Sequence, residues 1–266
     1  MEVSLNPLIK WSGGKKDEIK RFMQYVPKEY SVYLEPFVGG GAVYFYINPH
    51  KAVISDVHTE LIDFYSSIKQ GHSKQIYQFM KAHPNKEDVY YKVRSYKPST
   101  PLENAQRFYY LRKTCFRGML RYNNKGEFNI PYGRYKTCNF EDIQNKSYET
   151  LLQKTEVLNK DYKYVFDTYN CKDNFMFLDP PYDSEFTDYG YCKFGKEEHR
   201  DLARRFKETQ IKCLMVIGKT EFISDLYKDY IVDEYDKNYR FKLHSGRIGK
   251  EINTKHLVIM NYSVDC

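Results

Sequence analysis

The sequence predicts an α/β protein in which a smaller module is inserted between two parts of a mostly parallel sheet. Short apolar segments of strand length alternate with helix-like segments, which is typical of parallel sheets covered on both faces. The 266 residues suffice for one substantial core and one small module. Positive charge is concentrated between residues 71 and 146. We therefore assign 71–146 to the insert, and 1–70 with 147–266 to the sheet domain.

The first part of the sheet contains a glycine turn. Three glycines at 39–41 follow a strand candidate at 33–38 and precede a helical segment. Glycines at such a turn let a ligand approach the backbone and the helix N-terminus closely. Tyr44 occupies the third glycine position of the dinucleotide fingerprint, which argues against that motif. Upstream, Lys15 is followed by Lys16 where a P-loop has Ser or Thr, so a P-loop is excluded as well.

A second strand candidate, residues 52–55, ends at Asp56. An acid at the end of the second strand commonly binds ribose hydroxyls in mononucleotide-binding α/β folds. The alternative role for Asp56 is to cap the helix that begins near Thr59, and both roles are compatible. We therefore expect Asp56 to lie at the edge of a nucleotide-type site.

The most informative motif is Asp179-Pro180-Pro181-Tyr182, which ends an apolar strand candidate. The two prolines fix the directions of the acid and the ring, because proline holds φ near −65° and cannot continue a ladder. The Asp179 carboxylate and the Pro180 carbonyl can accept hydrogen bonds from an exocyclic amino group, while Tyr182 stacks on its base. Such an amino group is thereby prepared to attack a methyl donor. The alternative is an ordinary strand end with a stiff turn.

The insert has the charge of a nucleic-acid-binding surface. Residues 71–146 contain 15 lysines and arginines against 6 acids, a net charge of +9, whereas the rest of the chain has −2. A helix is predicted over 103–116 and a β-hairpin over 119–135, with its turn near Lys125 and Gly126. A two-stranded ribbon fits the major groove, where arginine commonly binds guanine. Arg121 alone is equally compatible with a phosphate contact.

Other segments complete the sheet and exclude several classes of protein. Strands are predicted at 212–217 and 255–260, with a helix at 221–227 between them. The six cysteines form no C-x-x-C pair, so neither a zinc site nor a disulfide framework is expected. No segment reads as a membrane span or a signal peptide, and a cytoplasmic protein with reduced thiols is expected.

In their order along the chain, these motifs resemble the Dam-type (class alpha, D12 class) DNA adenine-N6 methyltransferases. The matching blocks are residues 10–15, 35–41, 55–56, 121–135 and 179–182. The resemblance implies a seven-stranded, Rossmann-like sheet whose last strand is antiparallel. It also implies S-adenosylmethionine as cofactor, S-adenosylhomocysteine as product, no metal, and double-stranded DNA as partner. A monomer is expected, with a weak dimer on DNA left open.

The resemblance assigns roles to individual residues. The catalytic corner would consist of Asp179, Pro180 and Tyr182. The cofactor contacts would be Trp11, Lys15, Glu35, Phe37, Gly39, Asp56, Tyr169 and Asp179. The DNA contacts would be Arg117, Met119, Arg121, Asn123, Pro131, Arg134, Tyr135 and Tyr189.

Within the DNA-binding set, the resemblance makes Arg121 the guanine reader and Met119 the side chain that wedges into the base stack. Pro131 and Tyr135 would pack against other bases of the site, and Tyr189 would lie on a loop that closes on the flipped adenine. Arg117 departs from the small polar residue common in the family. GATC ranks first as the target, although Arg117 bears on the outer base preference.

Alternatives of other kinds remain open at this stage. The same corner could methylate cytosine N4, for which Ser in place of Asp179 is more usual, or an adenine in RNA. A DNA-binding module with an inert methyltransferase core is disfavoured by four intact residues: Trp11, Lys15, Asp56 and Asp179. An unrelated nucleotide-dependent oxidoreductase would bind NAD and show no affinity for S-adenosylmethionine.

We expect Arg121→Ala to weaken discrimination at one base pair by about 1–3 kcal/mol, because a bidentate contact to guanine would be lost. Methyl transfer at the Asp179 corner should persist. The measurement is kcat/KM on a series of duplexes, each differing from the target site at one base pair. An equal loss on every duplex would instead identify a phosphate contact.

Overall fold

A computed structural model describes residues 4–183, 194–239 and 252–263. Its centre is one seven-stranded sheet with the order β3-β2-β1-β4-β5-β7-β6. Neighbouring strands from β3 to β5 are parallel, and β7 lies antiparallel between β5 and β6. The predicted sheet with a reversed last strand is therefore confirmed. The strands are β1 Tyr33–Glu35, β2 Ala52–Ser55, β3 Thr155–Leu158, β4 Phe175–Leu178, β5 Lys212–Gly218, β6 Ile231–Tyr239 and β7 Ile252–Met260.

The central strands are buried on both faces because their side chains alternate between two apolar clusters. Tyr33 and Phe177 belong to the cluster on one face, whereas Leu34 and Met176 belong to the other. β1 ends three residues earlier than expected, since Pro36 cannot donate to a ladder. The early end frees the following residues to form the glycine turn.

Helices cover both faces of the sheet. The first cluster includes side chains of α1, α2, α3, α6 and α7, and the second includes those of α8, α9 and α10. The helices are α1 Ile19–Phe22, α2 Ala42–Ile47, α3 Thr59–Lys69, α4 Ser73–Ala82, α5 Glu87–Ser95, α6 Pro101–Thr114, α7 Lys146–Gln153, α8 Tyr162–Thr168, α9 Lys196–Glu208 and α10 Glu221–Tyr227.

Residues 71–146 lie between α3 and α7 and contain α4, α5 and α6. The helix expected at 103–116 is α6, and it starts two residues earlier because Thr100 and Glu103 form a capping box around Pro101. This helix packs closely on α3, where the rings of Phe64 and Tyr109 stack with centroids 5.1 Å apart. The insert therefore shares a core with the sheet domain.

The predicted hairpin is present as antiparallel bridges rather than as regular strands. Cys115 pairs with Tyr132, and Tyr122 pairs with Phe128. The turn lies where the sequence predicted it: the Gly126 N–H donates to the carbonyl of Asn123 at 2.8 Å, and Gly126 has φ +72°. Pro131 lacks a backbone donor, which limits the ladder.

Two findings bear on the excluded classes. No helix of the described residues is long and apolar enough to cross a bilayer. Within the same residues, no group of three or more His, Cys, Asp or Glu side chains is arranged to hold a metal ion.

Candidate active site

A cavity of about 290 Å³ lies at the carboxyl edge of the parallel strands, where β1, β2, β3 and β4 end. Ligands of open α/β sheets bind at this edge. Nine residues selected from the sequence line the cavity: Trp11, Lys15, Glu35, Phe37, Gly39, Asp56, Asp179, Pro180 and Tyr182.

The glycine turn after β1 is packed against the indole of Trp11. Gly39 has φ +45°, and a Cβ there would lie 2.5 Å from Nε1 of Trp11. A Cβ on Gly40 would lie 2.8 Å from the Trp11 Cβ. The Tyr65 hydroxyl fixes the turn by donating a 2.8 Å hydrogen bond to the Gly39 carbonyl. The turn therefore presents bare backbone to the cavity, as a closely bound cofactor requires.

Asp56 follows β2, and backbone donors hold its carboxylate. The N–H groups of Gly39 and His58 each donate to it at 3.0 Å. Burial raises the pKa of Asp56 to about 6, and these hydrogen bonds oppose the rise. The next helix is capped by His58, whose Nδ1 accepts from the Leu61 N–H at 3.2 Å. The suggestion that Asp56 caps this helix is therefore wrong.

The ammonium of Lys15 joins the N-terminal segment to the corner after β4. The Lys15 side chain is 1% exposed. It donates to the Gly13 carbonyl at 3.1 Å, to the Tyr182 hydroxyl at 2.9 Å, and to Oδ1 of Asp179 in a short ion pair. An ammonium has three N–H donors, so these partners saturate it. Burial raises the pKa of Asp179, and the charge of Lys15 opposes that rise.

A second polar layer supports the Tyr182 ring. His256 meets that ring edge-on, with centroids 5.5 Å apart, and its Nδ1 lies 2.6 Å from Oε2 of Glu18. Glu18 also accepts from the Tyr235 hydroxyl at 2.8 Å and pairs with Lys237 at 2.9 Å. Burial acts to raise the pKa of Glu18, but the hydrogen bond and charge of His256, with the lysine charges, lower it to about 2.

The end of β1 contributes an acid of a different character. Burial raises the pKa of Glu35 to about 8, partly offset by the hydrogen bond that the Tyr33 hydroxyl donates to it at 2.6 Å. The carboxyl is therefore largely protonated at neutral pH. A cationic group entering the cavity would favour its ionised form, since opposite charge lowers the pKa of an acid.

Sequence reasoning missed the aromatic wall of the cavity. Tyr162 and Phe194 line it together with Phe37, with ring centroids 5.5 and 5.6 Å from that of Phe37. The expected contact Tyr169 lies elsewhere: it follows α8, and its hydroxyl donates to Glu156 at 2.7 Å. Tyr162 directly follows Asp161, the N-cap of α8. This Asp-Tyr pair at the start of the helix after β3 is the sequence feature from which Tyr162 could have been predicted.

Most of the candidate DNA-reading residues on segment 116–135 are exposed. Met119 is 41% exposed although it is apolar, and Phe116 beside it is 39% exposed. The Arg117 guanidinium lies 5.3 Å from the Phe116 ring centroid, on a backbone with φ +55°. Arg121 is exposed, and its Nε donates to Oδ1 of Asn129 at 2.8 Å. Large apolar side chains beside arginines suit a surface that wedges into a base stack.

Two other candidates have local partners. Oδ1 of Asn123 accepts from the N–H groups of Lys125 and Glu127 at 2.9 Å each, so this side chain closes the hairpin turn. Arg134 is exposed, has φ +53°, and pairs with Glu87 at 3.5 Å. The structure thus gives Asn123 a structural role in addition to any contact with DNA.

The remaining candidates extend this surface towards the cavity. Pro131 is exposed, and Tyr135 is half-buried with the ammonium of Lys10 4.9 Å from its ring centroid. Lys10 was not selected from the sequence, although it begins the block that contains Trp11. The fold brings it beside Tyr135 across more than a hundred residues. Tyr189 lies outside the described residues.

A sheet of this strand order, with a reversed β7 and a glycine-lined cavity at the ends of β1 and β4, is the fold of S-adenosylmethionine-dependent methyltransferases. Sequence comparison narrows the class. The family model for D12 class N6 adenine-specific DNA methyltransferases matches residues 11–243. The chain belongs to this family, and it is an adenine-specific DNA methyltransferase.

Curated relatives cover nearly the whole chain. It is 59% identical to the type II methyltransferase M.CviBI of Paramecium bursaria Chlorella virus NC1A, over 97% of this chain and all of that protein. It is 31% identical to the type II methyltransferase M.MjaIII of Methanocaldococcus jannaschii, over 98% and 100% of the two chains. The DNA adenine methylase of Haemophilus influenzae is 34% identical over 83% and 82%. Membership of the family implies use of S-adenosylmethionine and a DNA substrate.

We expect cofactor affinity to fall as the pH drops through about 6, because Asp56 must be ionised to accept hydrogen bonds from ribose hydroxyls. The loss should approach about tenfold per pH unit below that value. Calorimetric titration with S-adenosylhomocysteine between about pH 5 and 8 measures it. Asp56→Asn should bind weakly without this dependence, whereas Glu35→Gln should retain it. A fall that persists in Asp56→Asn would contradict the assignment.

Proposed function

We propose that this methyltransferase modifies a specific short site in double-stranded DNA, taking the target adenine out of the duplex into the Asp179–Tyr182 corner. The observation that carries the proposal is the hydrogen-bonded cluster of the buried Lys15 with the partly exposed Asp179 and Tyr182, beside the glycine-lined cavity. It supplies a fixed acceptor and an aromatic face at one point. Extraction of the base costs a few kcal/mol, which the contacts of the corner and the insert would offset.

The cavity fits S-adenosylmethionine by the chemistry of its walls. Asp56 offers a carboxylate for ribose hydroxyls, and Phe37 and Tyr162 offer aromatic faces for an adenine ring. The backbone of Gly39 and Gly40 lines the cavity, and a Cβ on either residue would clash with Trp11. The cofactor would supply a methyl group on a positively charged sulfur: the sulfur–carbon bond breaks as the N6–carbon bond forms, S-adenosylhomocysteine leaves, and N6 loses one proton to solvent as or after it is methylated. We assign no metal to the reaction.

The corner would orient the amino group rather than remove its proton first. Oδ1 of Asp179 receives Lys15, so Oδ2 and the Pro180 carbonyl are the two acceptors we assign to the amino hydrogens. Hydrogen bonds to both favour a pyramidal nitrogen whose lone pair is available. The negative charge of Asp179 stabilises the positive charge that develops on N6. Holding the base in line with the donor supplies much of the remaining rate.

The insert would read the DNA sequence. Its net charge of +9 suits the phosphate backbone, and Arg121 on the exposed hairpin suits a guanine in the major groove. We accordingly assign 71–146 as the target-recognition domain, and 1–70 with 147–266 as the catalytic domain. GATC is the site that the family resemblance supports. The exposed Arg121 is compatible with a guanine in that site, and Arg117 bears on the outer base preference.

Methylation of unmethylated plasmid DNA, read by sequencing that detects N6-methyladenine on each strand, tests the specificity without assuming a site. We expect a single consensus, GATC. A single adenine-containing consensus other than GATC would retain the enzyme and discard GATC. Methylated cytosine, or methylation only of RNA, would overturn the proposal.

Asp179→Ala should lower kcat by about 100-fold or more, because both the orientation of the amino group and the stabilisation of its charge are lost. DNA affinity in a gel-shift titration should change little, since the basic insert is intact. Asp183→Asn is the matched control: this acid lies nearby but accepts from Thr220 at 3.2 Å instead of facing the cavity. Near-normal turnover of Asp179→Ala would refute the mechanism.

A further inference from the structure

A chain of hydrogen bonds crosses from the cofactor cavity to the DNA-reading hairpin. Asp56 in the cavity accepts from the backbone N–H of His58, and Nε2 of His58 lies 2.7 Å from the Tyr122 hydroxyl. Tyr122 is the hairpin residue next to Arg121. Its hydroxyl also bonds to Glu60, which receives Arg107 of α6 at 2.8 Å. Residues 64 positions apart are thus joined by side chains that are largely buried.

The direction of these bonds is fixed by the first of them. Because Nδ1 of His58 accepts from the Leu61 N–H, a neutral ring carries its proton on Nε2 and donates it to Tyr122. Tyr122 then donates its own proton to the Glu60 carboxylate. Burial, with the nearby charge of Arg112, lowers the pKa of His58 to about 3, which keeps the ring neutral at physiological pH. Each hydrogen bond from His58 through Tyr122 to Glu60 therefore has one donor and one acceptor.

A second link runs in parallel through Arg112, which is 1% exposed. Its guanidinium lies 5.3 Å from the ring of Trp11, a wall of the cavity, and donates to the Met119 carbonyl at 2.6 Å. The Trp11 ring also meets the His58 ring edge-on, with centroids 5.8 Å apart. Two walls of the cavity, Trp11 and the Asp56 turn, are thereby tied to both ends of segment 119–122.

We propose that His58, Tyr122 and Arg112 are positioning residues that couple occupation of the cofactor cavity to the DNA-reading conformation of segment 119–122. A cofactor seated against Trp11 and Asp56 restricts His58 and Arg112, and these in turn hold Met119 and Tyr122. Cofactor binding then tightens DNA binding, and by linkage DNA tightens cofactor binding by the same factor. The inference rests on the proposed function, in which this segment reads DNA.

The test measures the coupling factor, defined as the ratio of DNA Kd values without and with saturating S-adenosylhomocysteine. The duplex contains the site that the enzyme methylates, with an abasic nucleotide in place of the target adenine. Direct contact between that base and the cofactor therefore cannot contribute. We expect a factor of about ten for the native protein, within the usual range of coupling between sites. Tyr122→Phe keeps the ring and removes the hydroxyl, and it should reduce the factor to about two or less.

Tyr90→Phe is the matched control. Its hydroxyl donates to the Ile130 carbonyl at 2.7 Å, so this variant also loses a buried bond to the hairpin. Among the described residues, neither Tyr90 nor Ile130 lines the cofactor cavity. It should keep the native coupling factor even if DNA affinity falls. A native factor near one, or an unchanged factor in Tyr122→Phe, would overturn the inference. Failure of the proposed function is distinguishable, because the native protein would then methylate DNA without a consensus site, or would bind duplexes with and without the site equally well.

Discussion

The buried ammonium of Lys15 is the interaction on which the active site depends. It is surrounded by protein and joins residues 164 positions apart, so the N-terminal segment and the end of β4 are held as one unit. Removing one partner of a buried ion pair leaves the other charge without compensation, which is strongly destabilising. The position of Trp11 over the glycine turn follows from the same anchor, since it lies four residues before Lys15 on the same segment. Lys15, Asp179 and Trp11 all line the cavity, so this pair joins two of its walls.

The Lys15 ammonium lies among acidic and neutral side chains. Glu18 lies behind Lys15, Asp179 lies in front of it, and the neutral Tyr182 shares its third hydrogen bond. Burial raises the pKa of Asp179, and the charge and hydrogen bond of Lys15 act against that rise. A carboxylate held in this balance can accept hydrogen bonds from an amino group and stabilise positive charge without being a strong base. The residues that prepare the chemistry are thus those that stabilise the corner.

Local sequence was sufficient where one residue type has one physical consequence. Prolines end strands, three glycines mark the cofactor turn, and apolar runs such as β4 and β5 are buried on both faces. β3 and β6 were not predicted, because their exposed polar side chains, such as Glu156 and Asp236, hide the apolar pattern. The place of Tyr169 was wrong for a related reason. Because β3 was not predicted, the sequence did not show where the loop that places Tyr162 at the cavity begins.

Contacts between distant segments were beyond sequence reasoning altogether. No local sequence pattern shows that His58 meets Tyr122 or that Arg112 lies against Trp11. Both contacts depend on how α6 packs on α3. The same packing explains why the charge distribution divides the chain into an insert and a sheet domain although the two share one core. The basic residues mark the surface of the insert, whereas its core is continuous with the sheet domain. If the insert reads DNA as proposed, the shared core places that surface and the cavity on one packed unit.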